Sequence, residues 1–580
     1  MVANNLMMRQ EFPDPQFERK NWMNLNGSWD FSFDFGKSGE TRRFFERKSW
    51  KQKINVPFCP ESELSGVHYL DFMSSVWYHR CFSINADQLK EKVFIHFGAI
   101  NYRAQIWVNG EKCGDHLGGY SSFSLDITTF VKAGENDIHI WAINEPRSGR
   151  QPCGKQSRTY ASEGTAYSRV TGIWQTVWIE FVPEDYVKSV KFTPNISAQS
   201  VGIEVATVGT CSHLDCEIFY QGRLCGERVI DISGTTAVFE VSLDELHLWE
   251  VGHGRLYDVH LKLGQDEIYS YFGMREVSLS GERFLMNGRP IFQRLVLDQG
   301  YYPEGLYTAA TEQELSRDIE LSLACGFNGA RLHQKAFEPR FLYHCDRLGY
   351  IVWAEQASWG LDYSSPAALE HFLPEWLEIM NRDINHPAII GWCPLNETSP
   401  YRGRSPRPEL TRFVYQITKQ FDVTRPCIDV SGFVHTERTD VYDTHDYAAD
   451  PQTFAKHYQK LDQRVLYDPQ IAREINVCDL PVFVSEYGGI PWNVGSQGWG
   501  YGNQPESKEL FIKLFRDLMV PLLNNPGIIG FCYTQLYDIE QEKNGLFTFS
   551  RQPKFDLQLI RQVCNQHAAY EESLEANKDE

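Results

Sequence analysis

Two glutamates in this chain each close a run of apolar residues: Glu397 in IIGWCPLNETSP and Glu486 in PVFVSEYGG. A carboxylate at the end of a buried strand is costly to desolvate unless it has a partner or a task. Two carboxyls facing one cavity suit glycoside hydrolysis, in which one protonates the leaving oxygen and the other meets the anomeric carbon. Burial and mutual repulsion raise the first group's pKa, while a nearby cation keeps the second ionised. The plain alternative for either glutamate is an arginine partner at a rim. That alternative weakens when both are read together in these local sequences.

The elements that must hold these residues begin near residue 278, where the pattern changes. Helix periods there alternate with short, continuously apolar strands. Thr311 and Glu314 predict a capping box, Leu315, Ile319 and Leu323 repeat at helical spacing, and Gly326 stops the helix. FNGARLH, YIVWAE, AIIGWCPLNE, PVFVSEYGG and IIGFCYTQL read as strands apolar on both faces, as in a parallel sheet covered by helices. About 300 residues of such alternation is the size of a (β/α)8 TIM barrel, whose chemistry lies at the C-terminal ends of its strands. The polar residues ending these runs are Arg331, His333, Glu355, Asn396, Glu397, Glu486 and Gln535.

The chain before the barrel reads as β throughout. Residues 1–185 carry short alternating runs such as WDFSFDF, RAQIWVNG and DIHIWAI, separated by Asn109-Gly110, Gly118-Gly119 and Gly134, which predicts a jelly-roll sandwich. Residues 186–277 continue in the same style at a length that fits an immunoglobulin-like sandwich. The expected architecture is therefore multidomain: a jelly-roll β-sandwich, an immunoglobulin-like β-sandwich and a C-terminal barrel over 278–580. The polar, acidic end EESLEANKDE is expected to fray.

Composition narrows the partners. Among 580 residues the formal net charge is −20, which repels phosphate backbones and anionic lipid surfaces, so neither nucleic acid nor membrane is expected as a partner. No apolar stretch is long enough to span a bilayer, and MVANNLMMRQEFPDPQ has neither the apolar core nor the cleavage site of a signal peptide. The 14 cysteines are scattered, and Cys211, Cys216 and Cys225 match no zinc spacing. Free buried thiols in a reducing, cytoplasmic setting are the expectation. No cofactor and no metal is expected. Asp538, Glu540 and Glu542 offer carboxylates to a hard cation, but their spacing is loose, and a solvated or sugar-recognising loop is the preferred reading.

The motifs NWMNLNGSWDFSFD, WVNGEKCGDHLGGYSSFSLDIT and SRVTGIWQTVWIE, with YFGMREV, FLMNGRPIF, CDRLGYIVWAE, RDINHPAIIGWCPLNE and FVSEYGG, run along nearly the whole chain. On these it resembles glycoside hydrolase family 2. The resemblance implies a retaining exo-β-glycosidase acting on a carbohydrate substrate, with Glu397 as acid/base and Glu486 as nucleophile. It implies that Asn396 holds the sugar 2-hydroxyl, that Arg331 keeps Glu486 ionised, and that Tyr447 hydrogen-bonds the nucleophile. Arg331 and His333 are two residues apart and share a strand face, which places His333 in the pocket. Asp298 is expected to reach sugar hydroxyls, against a turn-capping role. His445 divides between pocket and core. Trp359 is a sugar platform or packing, as is Trp392. Asp538 is the residue of its acidic loop expected in the pocket.

The chain departs from well-known members in two places. Family glucuronidases carry Asn-x-Lys after the eighth strand for the sugar carboxylate, and here EKNGLFTFSRQPK has none. Tyr533 stands where relatives have a tryptophan platform. The expected sugar is therefore neutral and galactose-like, with a glucuronide or galacturonide, a galactofuranoside or an arabinoside as alternatives. A reading of another class is a carbohydrate-binding protein on a catalytically inactive barrel, opposed by the joint presence of Glu397, Asn396, Glu486 and Arg331. The N-terminal sandwich is expected to buttress the barrel mouth rather than act as a separate lectin. Many family members are dimers or tetramers, which leaves a homo-oligomer open, with no interface signature in the chain.

Overall fold

The computed structural model describes residues 8–493 and 497–572. Much of the acidic C-terminal stretch read as fraying lies outside them. Two sandwiches precede a barrel. In the first, a four-stranded sheet built around Lys92–Phe97 and Val177–Val182 faces a six-stranded sheet built around Ser75–Ile84 and Gly134–Ile143. Their inner faces bury Trp29, Phe31, Tyr78, Ile95, Ile140 and Ile179. The second sandwich packs a three-stranded sheet on a four-stranded one. Its strand Thr236–Ser242 alternates buried and exposed without a break, as a half-solvated antiparallel strand should.

The barrel strands are buried along their length, apart from the half-exposed Arg294 in the first. They are β1 (Gln293–Asp298), β2 (Gly329–Leu332), β3 (Ile351–Glu355), β4 (Ile389–Cys393), β5 (Tyr442–Asp446), β6 (Val482–Gly488) and β7 (Ile528–Thr534). All adjacent pairs are parallel, in the order β4-β3-β2-β1-β7-β6-β5. Residues 427–431 run alongside the end of β4, with bridges Trp392↔Cys427 and Asn396↔Ser431, and supply the segment between β4 and β5. The barrel interior is packed rather than hollow. The Trp353 indole donates to the Gln293 side chain at 2.7 Å and stacks on Phe483. A Cβ on Gly391 would meet the Trp353 ring at 2.4 Å, so that position of β4 has room only for glycine.

Helices α1 (Glu312–Ala324), α2 (Pro339–Leu348), α3 (Ala367–Asp383), α4 (Pro408–Phe421), α5 (Pro451–His457), α6 (Lys508–Leu523) and α7 (Leu557–Cys564) belong to the same part of the chain. Helix α1 starts after Thr311 as its sequence predicts, but the capping box does not form. The Thr311 side chain makes no cap bond, and the Glu314 carboxylate accepts from the Ala310 N–H. The chain leaves the helix through Gly326 at φ +90°, a left-handed conformation that glycine adopts without Cβ strain. All fourteen cysteines are free, and most are buried.

Polar contacts between the domains are buried and specific. The Arg19 guanidinium bonds Glu180 of the first sandwich at 2.8 Å, and Asp266 of the second at 2.8 and 3.0 Å. The Tyr120 N–H donates to Glu375 of α3 at 2.7 Å. Residues 144–171 form a long connection with no strand, and it lies across the barrel mouth: Cys153 N–H bonds the Trp359 carbonyl, and the Asp362 N–H bonds the Gly149 carbonyl. Removing one partner of a buried ion pair leaves the others desolvated, at about 3–5 kcal/mol. Arg19→Ala should therefore lower the stability of the sandwich pair by about that amount in a urea titration. Lys20→Ala, which touches only the surface of Tyr269, should leave the midpoint within error of wild type.

Candidate active site

The chain continues from β4 through Pro394 and Leu395 to Asn396 and Glu397. The Glu397 N–H bonds the Ser431 carbonyl at 2.9 Å, and the Ser431 N–H bonds the Leu395 carbonyl at 2.8 Å. The Asn396 N–H donates to Ser358 Oγ at 3.1 Å. Glu397 sits at φ +41°. Such a conformation costs a non-glycine residue about 1–3 kcal/mol, and it persists because neighbours on both sides fix the backbone. The Glu397 side chain keeps a fifth of its surface open, whereas Glu486, inside β6, keeps 7 %.

Arg331 projects from β2 into the barrel and is wholly buried. It donates from Nη1 to Glu486 Oε1 at 2.8 Å and to the Ser485 carbonyl at 3.2 Å, from Nη2 to the Asn396 side-chain oxygen, and it pairs through Nε with Glu355. Because Arg331 takes the Asn396 oxygen, the amide nitrogen points elsewhere, and Nδ2 is buried with no protein partner. The Tyr447 hydroxyl donates to Glu486 Oε2 at 2.5 Å and touches Thr534 Oγ1 at 3.0 Å. Burial alone would raise the Glu486 pKa, but His445, Arg331, His333 and Lys155 hold the carboxyl well below the usual range.

His445 stands opposite Glu486 in the β5–β6 register. Its Nδ1 is 2.7 Å from Glu397 and 3.4 Å from Glu486, and Nε2 is 2.9 Å from Ser431 Oγ. Burial opposes its charge, yet the two carboxylates raise its pKa above the ordinary value. One oxygen of Glu397, one of Glu486 and a nitrogen of His445 lie within 4.8 Å of one another. A cation would fit that spacing too, although Arg331 and Tyr447 already engage Glu486. His333 bonds Glu355 at 3.1 Å, and burial followed by the Lys155 charge drives its pKa well below the ordinary value. Burial pushes Glu355 up to about 7, against the pull of Arg331.

Other expected residues lie elsewhere. Tyr533 is in the core, T-shaped on Phe515 of α6 at 4.9 Å, and is not a sugar platform. Successive residues of a strand alternate faces, so Thr534 faces the mouth with Tyr447, and Tyr533 faces the helices. Asp538 is paired with Lys554 and accepts from the Gly545 N–H at 3.0 Å, which spends its carboxylate inside the loop. Asp298 accepts from the Gly300 N–H at 2.9 Å and the Tyr537 hydroxyl at 2.6 Å, the turn-capping arrangement. Burial, then the Asp318 charge, push it up to about 6. Trp392 is core, bonded to Asp422 at 2.8 Å. Trp359 does reach the mouth, with the Lys155 ammonium 4.0 Å above its ring.

Several site residues carried no sequence signal. Lys155 is nearly buried, comes from the first sandwich's long loop, and makes no ion pair among the described residues. Tyr167 from the same loop donates to Glu542, whose other oxygen accepts from Asn544 at 2.9 Å. Tyr501 stacks on Tyr447 at 3.6 Å. The one available clue is length, since structureless loops longer than about 12–15 residues are usually functional. On the Glu397 side this loop bounds a cleft of about 500 Å3, where Trp359 and Tyr401 supply flat faces and Arg147, Arg158 and Arg402 supply charge. Glu397 is the cleft's one acidic residue among those described.

Removing the Tyr447 hydroxyl should cost about 10²–10³-fold in kcat, the usual loss for one preorganised donor. The sign of the accompanying pH effect is fixed. Donors and cations favour ionised Glu486, so wild-type kcat/KM should keep its acidic limb below the ordinary glutamate value of about 4.3. In Tyr447→Phe that limb should move to higher pH. An unmoved limb in a pH–rate profile would remove Glu486 from the titration.

Residues 22–149 match the glycosyl hydrolases family 2 sugar binding domain, and residues 277–513 match the glycosyl hydrolases family 2 TIM barrel domain. The chain is similar to a putative β-glucuronidase of Formosa agariphila, at 25% identity over 56% of this chain and 40% of that protein. It is similar to a β-galactosidase of Thermoanaerobacter pseudethanolicus, at 26% identity over 63% of this chain and 49% of that protein. It thus spans less than half the length of these two relatives. Among solved structures it superposes on a β-glucuronidase of an uncultured Clostridium species with a TM-score of 0.80 and 20% identity, covering 96% of this chain and all of that one.

Proposed function

Since this chain belongs to glycoside hydrolase family 2, we propose that it is a retaining exo-β-glycosidase in which Glu397 is the acid/base and Glu486 the nucleophile. The observation that carries this reading is that the two carboxylates share His445 Nδ1, at 2.7 and 3.4 Å, with an oxygen of one within 4.8 Å of an oxygen of the other, which leaves no room between them for the water of an inverting enzyme. Inverting enzymes hold the pair about 6.5–9.5 Å apart to admit a water, and retaining ones about 5–5.5 Å. In the first step Glu397 gives its proton to the glycosidic oxygen while Glu486 attacks the anomeric carbon, which breaks the bond to the leaving group and forms a glycosyl ester. In the second step Glu397 takes a proton from water, and that water's oxygen displaces Glu486. Asn396 Nδ2, buried and without a partner among the described residues, would donate to the sugar 2-hydroxyl. The leaving group occupies the cleft that Glu397 faces.

The sugar we propose is a β-linked uronic acid, a glucuronide or galacturonide. The absent Asn-x-Lys argues from sequence against that choice, but Lys155 supports it by bringing to the mouth, from another domain, a nearly buried cation with no ion pair among the described residues. The name of the Formosa relative points the same way. The second reading is a neutral β-galactoside, favoured by the name of the Thermoanaerobacter relative.

Nitrophenyl β-glucuronide, β-galacturonide and β-galactoside separate these readings. Wild type should cleave a uronide with retention, seen by NMR of the first-formed anomer, and Glu486→Ala should abolish turnover. Lys155→Met should lower kcat/KM for the uronide by about 100-fold or more relative to the galactoside, the scale for losing one charge-assisted contact. Cleavage of the galactoside alone would select the second reading, and an inverted first product would sink both.

A further inference from the structure

A second cluster of ligating side chains lies in the first sandwich, and none of its members belongs to the barrel. Strands Ser75–Ile84 and Gly134–Ile143 pair antiparallel, with His79 opposite His139 and Cys81 opposite Asp137. Residues two apart share a strand face. The register therefore sets a two-by-two grid of histidine, histidine, cysteine and aspartate on one face of the six-stranded sheet. Trp50 covers it, stacked on His79 at 5.7 Å.

The other ring nitrogens are already committed. His79 Nδ1 is held by Asp30 Oδ2 at 2.8 Å, and His139 Nε2 donates to the Arg47 carbonyl at 3.1 Å. A carboxylate or backbone carbonyl behind the imidazole is the arrangement that orients metal-bound histidines, because it fixes the tautomer and turns the remaining lone pair forward. The nitrogens turned forward are His79 Nε2 and His139 Nδ1. His139 is fully buried, and neither its Nδ1 nor Asp137 Oδ1 has a hydrogen-bond partner. They lie 3.4 Å apart, and Cys81 Sγ lies 3.9 Å from His79 Nε2. One atom each from His79, Asp137 and His139 falls within 4.8 Å of the others. Tetrahedral zinc, with bonds of about 2.0–2.3 Å, spaces its ligand atoms roughly 3.3–3.8 Å apart. Lone pairs turned on one another and on a carboxylate repel unless a cation lies between them. Lys48 pairs with the other Asp137 oxygen and leaves Oδ1 free.

We propose that His79, His139, Asp137 and Cys81 form a structural site for a zinc-type divalent cation that ties the two strands to the segment carrying Arg47 and Trp50. Three of the four ligand atoms already lie within 4.8 Å of one another, and Cys81 Sγ, 3.9 Å from His79 Nε2, closes the shell by swinging toward them; a shell closed in this way leaves no position for substrate, so the site is a staple and not a second catalytic centre. On binding, the Cys81 thiol loses its proton to solvent and becomes the thiolate ligand.

The test uses the full-length chain, purified without a metal-affinity tag, stripped with chelator and titrated with ZnCl2 and then CoCl2. We expect one Zn2+ per chain and a thermal midpoint several degrees above that of the stripped protein. Bound Co2+ should show the intense visible bands of tetrahedral geometry together with thiolate-to-cobalt charge transfer. Cys81→Ser, an exposed position that tolerates the change, should lose the charge-transfer band and weaken binding at least tenfold. His139→Ala should abolish binding. The same stoichiometry in Glu397→Gln separates this site from the catalytic pair, where the carboxylates and His445 could also bind metal. Absence of stoichiometric binding overturns the proposal, as does binding that survives His139→Ala, and as does binding lost in Glu397→Gln but retained in Cys81→Ser.

Discussion

Arg331 is a permanent cation wholly buried in the barrel. Taking a guanidinium into a barrel core costs several kcal/mol unless its donors and charge are matched. Here they are matched by groups from different elements: Glu486 from β6, Glu355 from β3, and the Asn396 side chain beyond β4. The strands can close only in a register that brings these groups together. The same contacts fix one Glu486 oxygen, engage the Asn396 side-chain oxygen so that its amide nitrogen is left for another partner, and keep Glu486 ionised. Packing and chemistry share one interaction, so replacing this residue would disturb both.

A second constraint works between domains. The barrel supplies Glu397 and Glu486, but its mouth is finished by the loop over 144–171 from the first sandwich. Lys155, Tyr167 and the Arg147 and Arg158 pair all arrive on that loop. Its position depends on backbone bonds to the loops after β3 and on Tyr167 reaching Glu542. The sandwich therefore buttresses the barrel and adds charge to it. A protein with net charge −20 presents three arginines to the cleft beside Glu397. The segment most irregular in sequence is thus the one that dresses the site.

The errors of the sequence reading have separate physical causes. Tyr533 fails by one step of strand parity: β7 is apolar on both faces, so hydrophobicity gives no sign of which face points inward, and only Thr534 touching Tyr447 fixes it. Asp538 fails because Lys554, sixteen residues away, returns to neutralise it. Asp298 is drawn into its own turn by Gly300 and by Tyr537, which follows the neighbouring strand β7 but lies more than two hundred residues away in the chain. Lys155 could not be found at all, since a lysine in a polar loop is indistinguishable from a surface lysine until the loop is seen to fold inward.

What the sequence determined by itself is what local pattern encodes. Period-2 runs with turn residues specify the sandwiches, and fully apolar runs alternating with helix periods specify the barrel. The polar residue ending each run specifies where Glu397, Glu486, Arg331 and Asn396 stand, because chain direction carries strand ends to one face of a parallel barrel. Tertiary structure alone decided which partners those residues keep. It set His445 between the two carboxylates, brought Lys155 over Trp359, and aligned His79 with His139 across two strands more than fifty residues apart. Such pairings follow from distances between elements remote in the chain. No local window contains both members, so no periodicity or spacing can announce them.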